Sequence, residues 1–361
     1  MQQRNSNFEL LRIICIFGII TMHTFGSFAN KSTGANLIIL TLINSVFNTC
    51  VSCFVLISGY FGIKSNPKKL LSLDLRIIFF SVLTALILSI WRNNFIIRDL
   101  IPSIIPIISR KYWFISCYFV LVIFSGYLNK IPEILTRKSF EILLVLMLLI
   151  FSVIPSFFIF DLMIDGGKGL VNMIIIYLVG RYIKFYWTES YSVNRILFSI
   201  IFLLSTIFSL NYFSSIFTGH IINIFSRDSS ILIIASAIAI FMLFRELNFK
   251  SRFINFIATS VLMIYVLEGF VRTVFNHFID ISFYLEKWYF SLILLLYIIS
   301  VIVVCFIIDV VRNYTVGRLE LPIADFVIKN VHILNVSIRP VRKRISIIIF
   351  DFFLKKRKNK F

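Results

Sequence analysis

Charge is scarce in this chain. Of its 361 residues only 15% are Asp, Glu, Lys or Arg, against 59% hydrophobic, which leaves too little polar surface to cover a water-soluble globule. Cysteine is scarce as well. Cys15, Cys50, Cys53, Cys117 and Cys305 all fall inside apolar runs, where a thiol behaves as a small apolar group. The lone Cys50-x-x-Cys53 pair has no second pair or spaced histidines to complete a zinc site, so neither a disulfide framework nor a metal centre is expected. The short alternating segments of a membrane barrel are missing too.

In their place stand apolar runs of near twenty residues, the length that carries a helix across a hydrocarbon core of about 30 Å. They cover 8–28, 37–63, 72–91, 113–129, 139–160, 169–187, 196–214, 229–244, 253–275 and 288–311. The expected fold is an all-α membrane protein, a polytopic bundle of about ten transmembrane helices over residues 1–312.

Acidic residues number 17 against 36 Lys and Arg, and the position of that basic excess decides its meaning. With the N-terminus inside, 25 of the cations fall in inner segments and 9 in outer ones. This is the bias of cytoplasmic loops, so both termini are expected in the cytoplasm. The charge is topological, and no nucleic-acid partner is expected. Residues 313–361 turn strongly basic around the apolar stretch Ile345 to Leu354. That pattern reads as an amphipathic cytoplasmic tail held to anionic membrane lipid.

Ionisable groups within a span are rare and usually functional, and the first run carries Glu9, Arg12 and His23. Arg12 and His23 are eleven positions apart, about 1100° of helical rotation, or three turns plus about 20°. They share one face about 16 Å apart along the axis, which suits a path crossing the membrane. Two other readings compete: a cleaved signal, which would avoid such charge, and an Arg12–Glu9 pair beside a merely hydrogen-bonded His23. The ninth run adds Glu268 and Arg272 at a four-residue spacing. They can pair with each other, or Glu268 can meet another cation, His23 among them. Arg92, Arg98, Arg110 and Lys111 surround an outer apolar piece broken by Pro102 and Pro106. They depart from the inward bias and point to an anion such as a phosphate or an acidic sugar. Trp113 follows at the outer interface. Ser58 and Gly59 allow close helix packing, whereas the Gly166-Gly167-Lys168-Gly169 turn lacks the spacing of a phosphate loop and receives no role.

These residues give the chain a resemblance. From about Asn7 to Arg312 it resembles the acyltransferase-3 family of integral membrane O-acyltransferases, nearest the branch that O-acetylates envelope polysaccharides. Arg12 and His23, within ELLRII and MH, match the family's Arg, ten residues, His pattern. ISGY (Ile57 to Tyr60), YWFISCY (Tyr112 to Tyr118) followed by LNKI, and IYLVGRYIK (Ile176 to Lys184) match further landmarks. In one departure, Glu268 stands where the family commonly has His.

The resemblance implies transfer of an acetyl or other acyl group from cytoplasmic acyl-CoA, a donor substrate with no bound cofactor, to a hydroxyl of a surface glycan such as a capsule, or of its lipid-linked precursor. The implied setting is a bacterial cell membrane. Arg12 would steady the donor, and His23 would deprotonate the acceptor or carry the acyl group. Glu268 would orient His23, completing the expected catalytic set, while Glu9, Arg92, Arg98, Arg110, Lys111, Trp113 and Arg272 are the expected substrate-binding residues. The rival from another class is a transporter or flippase for a lipid-linked glycan, since intramembrane ionisable groups also mark transport paths.

Overall fold

Apolar runs become helices because a membrane leaves each backbone N–H and C=O to be satisfied within its own segment. The computed structural model describes residues 5–26, 35–93, 97–158 and 161–330, apart from the side chains at 35, 98 and 99. Among the described residues the fold is all-helical, without a strand. In chain order the α-helices are α1 (Ser6–Gly26), α2 (Ala35–Phe47), α3 (Thr49–Phe61), α4 (Pro67–Trp91), α5 (Ile97–Ile104), α6 (Trp113–Leu128), α7 (Ile131–Ile134), α8 (Arg137–Leu148), α9 (Ile154–Phe157), α10 (Leu170–Tyr186), α11 (Val193–Thr218), α12 (Ile231–Glu246), α13 (Arg252–Ala258), α14 (Val261–Phe278) and α15 (Phe290–Tyr314). A π-helical turn at Leu149–Val153 joins α8 to α9.

Nine helical stretches among the described residues are long and apolar enough to cross a membrane. The remaining apolar run, 169–187, forms α10, whose 17 residues rise about 25 Å, the short end of a crossing helix. It lies in the core, with Tyr177 fully buried and packed together with Leu56 and Ile57 of α3.

The chain separates into two compact units. One comprises Met1–Ser65 with Ile77–Arg312, the other Asn66–Arg76 with Asn313–Phe361. Within the second, Lys68 Nζ meets Asp325 Oδ2 at 2.5 Å. The amphipathic stretch expected at Ile345 to Leu354 lies outside the described residues.

In the first unit α1 is packed by α2, α3, α12, α13 and α14. Its polar start is tied down: Asn7 Nδ2 donates to Phe244 O at 2.7 Å, and Ser251 N donates to Ser6 Oγ at 2.9 Å. Helices α3 and α10 cross at glycines. A Cβ on Gly59 would lie 2.2 Å from Tyr177 O, and one on Gly180 would lie 2.6 Å from Leu56 O. Tyr177 OH donates to Asn129 Oδ1 at 2.6 Å and accepts from Ile63 N at 3.0 Å, while Asn129 Nδ2 donates to Ile63 O at 2.9 Å. LNKI, IYLVGRYIK and the backbone of Ile63, three residues past ISGY, thus close one polar lock.

Two runs read as continuous helices are broken. The run at 37–63 turns at Asn48 between α2 and α3, and the run at 253–275 turns at Thr259 and Ser260 between α13 and α14. Irregular backbone at membrane depth is tolerated only where it is enclosed by protein or lines a cavity. Asn48 and Thr259 both line one.

Candidate functional site

One face of α1 borders a cavity of about 720 Å³. Glu9, Arg12, Ile16, Ile19, Met22 and His23 succeed one another along its wall, so the stripe set by the eleven-residue spacing opens on a single space. Facing it are Asn44 and Asn48 from α2 and the α2–α3 break, Trp113, Phe114 and Tyr118 from α6, and Tyr265 from α14. At the Arg12 end, Arg12 Nη1 donates to Glu9 Oε1 at 2.7 Å, the i,i+3 pair that the sequence allowed. The Arg12 side chain keeps 31% of its surface exposed against 7% for Glu9.

His23, in the last turn of α1, is held by α14. Its Nδ1 lies 2.9 Å from Glu268 Oε1, and the other carboxylate oxygen, Oε2, accepts from Arg272 Nε at 2.5 Å. Arg272 Nη1 also donates to the His23 carbonyl at 2.9 Å, satisfying one of the acceptors that the end of a helix leaves open. Both partners foreseen for Glu268 are therefore engaged at once. With the Glu268 side chain 8% exposed and that of His23 36% exposed, the carboxylate is enclosed and the imidazole is presented. A carboxylate accepting from Nδ1–H fixes the tautomer, leaving Nε2 as the basic nitrogen.

A second cavity, of about 690 Å³, meets the first at His23 and Tyr265, which line both. Arg92, Lys111 and Arg272 border it together with Glu268, Tyr112, Thr84, Ser89 and Ser103. Lys111 Nζ donates to Ser103 Oγ at 2.8 Å and to Ser81 Oγ at 3.0 Å. Burial pushes the Lys111 ammonium below the usual lysine range and the Tyr112 phenol above its own, because each loses water around its charged form.

The expected substrate residues do not all converge. Arg92, Lys111 and Arg272 share the second cavity, and Glu9 and Trp113 line the first. Arg110, at φ 55°, borders neither, and the side chain of Arg98 lies outside the described residues.

The turn that received no role contributes as well. Asp165, Gly166 and Lys168 line the first cavity beside Arg227 and Asp228. Asn172 Nδ2 clamps the two loops, donating to Gly167 O and Asp228 O, each at 3.0 Å. The loop's composition carried no sign of this, since the clamp joins segments 56 residues apart. Asn48 and Thr259, polar residues interrupting apolar runs, were the legible hint of the cavity wall. Among the described residues no cluster of three or more His, Cys, Asp or Glu could hold a metal ion, and all five cysteines are buried and free.

Compared with known proteins, residues 5–310 match the family model described as an acyltransferase domain. No curated protein and no solved structure matches the chain.

Proposed function

On the premise that the chain belongs to this acyltransferase family and is a membrane acyltransferase, we propose that it moves an acetyl group from acyl-CoA to a hydroxyl of a cell-envelope polysaccharide or its lipid-linked precursor. The observation that carries this reading is the position of His23, held by Glu268 at the junction of two cavities, where a donor and an acceptor can approach one base from different sides.

In this mechanism Glu268 accepts the Nδ1 hydrogen of His23, and Nε2 takes the proton of the sugar hydroxyl as its oxygen attacks the thioester carbonyl. The carbon–sulfur bond breaks, and the departing thiolate recovers the proton from the imidazolium. Glu268 balances the imidazolium charge, and Arg272 holds the second oxygen of Glu268 in place. Arg12 steadies the donor's phosphates or pantetheine arm with its remaining guanidinium donors. The chain works as a multi-pass protein of a bacterial cell membrane, with acyl-CoA supplied from the cytoplasm and no resident cofactor.

Membranes containing the protein, given acetyl-CoA labelled in the acetyl group, test the reading. Label entering glycan with wild-type protein, and its loss in His23→Ala at unchanged membrane abundance, is the expected result. Retained transfer in His23→Ala would remove His23 from the chemistry. Movement of a lipid-linked glycan without label would favour a flippase.

A further inference from the structure

Resting on the acyl-transfer reading above, we infer that the second cavity recognises an anion, and that the alcohol acylated at His23 belongs to a saccharide carrying a phosphate or carboxylate near the reacting hydroxyl. The argument is one of charge balance. Arg92, Lys111 and Arg272 supply three cations to this wall, and Glu268 is the one carboxylate among the lining residues. Both of its oxygens are engaged, one by His23 and one by Arg272. It balances Arg272 and leaves Arg92 and Lys111 without a countercharge.

No carboxylate among the described residues lies within ion-pair distance of either of those two. Among the described residues Lys111 is held by neutral groups, the hydroxyls of Ser81 and Ser103, the Ser81 carbonyl and the Tyr112 ring, whose centroid lies 5.7 Å from Nζ. Such a site holds an ammonium in place but does not neutralise it, and its lowered affinity for a proton records the cost. An incoming anion would relieve that cost. The guanidinium offers a two-pronged contact and the ammonium a point charge, a pairing suited to the oxygens of a phosphate or carboxylate. About 690 Å³ is room for a small saccharide, and because His23 lines the same cavity, an anion seated on Arg92 and Lys111 places a neighbouring hydroxyl within reach of the imidazole. Phosphate and carboxylate share this chemistry, so the test separates them.

The full-length protein, purified in nanodiscs of uncharged phosphatidylcholine, would be titrated calorimetrically with N-acetylglucosamine 1-phosphate, glucuronic acid and neutral N-acetylglucosamine. At least one charged sugar is expected to bind about tenfold or more tightly than the neutral one, as charge-assisted hydrogen bonds imply. The preference should persist in His23→Ala, weaken with added salt, and collapse in Arg92→Gln/Lys111→Gln. Whichever charged sugar binds more tightly identifies the anion. If the double variant loses its thermal unfolding transition, Arg92→Gln alone provides the reading, with a partial loss expected at this exposed side chain.

Equal binding of all three sugars would overturn the inference, as would a preference that survives both variants. So would loss of coenzyme A binding in those variants, which would assign the two cations to the donor. Anion-selective binding without label transfer would count against the acyl-transfer reading alone. Label transfer without anion preference would count against this inference alone.

Discussion

His23 and Glu268 are 245 positions apart in the chain and 2.9 Å apart in space, so at the residue scale the chemistry depends on a pair that no local pattern contains. Glu268→Gln keeps an oxygen able to accept from Nδ1 but removes the charge that balances an imidazolium. Acetyl transfer is expected to fall by about 10²-fold or more, measured as initial rates with labelled donor. Arg12→Lys keeps the charge and loses the fork shared between Glu9 and the cavity. Slower transfer at an unchanged thermal midpoint is expected, and a wild-type rate would reduce Arg12 to a partner of Glu9. Lys111 makes a pH prediction. Its proton is held less tightly than in an ordinary lysine, and only the protonated form attracts an anion. Sulfate, whose own charge is constant across this range, should therefore lose affinity as pH rises, beginning below the usual lysine range.

Among the elements, the crossing of α3 and α10 fixes one wall of the unit through two glycines. Gly180→Ala forces a methyl group against the Leu56 carbonyl, and overpacking of this kind typically costs about 1–3 kcal/mol. A lower thermal midpoint in detergent should appear without any direct change at His23, and an unchanged midpoint would mean that the helices separate freely. The Ser58–Gly59 signal for close packing was legible because small residues are what permit close backbone approach; its partner, Gly180, was not, because the crossing joins residues 122 positions apart, as the Arg181–Gly59 contact shows. The breaks at Asn48 and at Thr259 and Ser260 were hidden for a related reason. Hydropathy reports where a segment lies, whereas a cavity beside the backbone decides whether the helix there stays continuous.

For the whole molecule, orientation turns on α10. If this 17-residue helix crosses the membrane, ten spans return the C-terminus to the side of the N-terminus, as the distribution of Lys and Arg predicts; if it does not, nine spans place them on opposite faces. Reporters fused at the two ends, one active only in the cytoplasm and the other only outside, are expected to place both termini inside, and opposite signals would exclude α10 as a span. The sequence by itself determined that this chain is a helical membrane protein and that Arg12 and His23 share a face, because hydropathy and the 3.6-residue turn act over short stretches of chain. Only the tertiary structure decided that Glu268 and Arg272 hold His23, that Arg92 and Lys111 gather in a second cavity while Arg110 stands apart, and that the Gly166–Lys168 turn borders the first. Those arrangements arise from helices packed against one another, and composition and spacing carry no record of which side chains packing brings together.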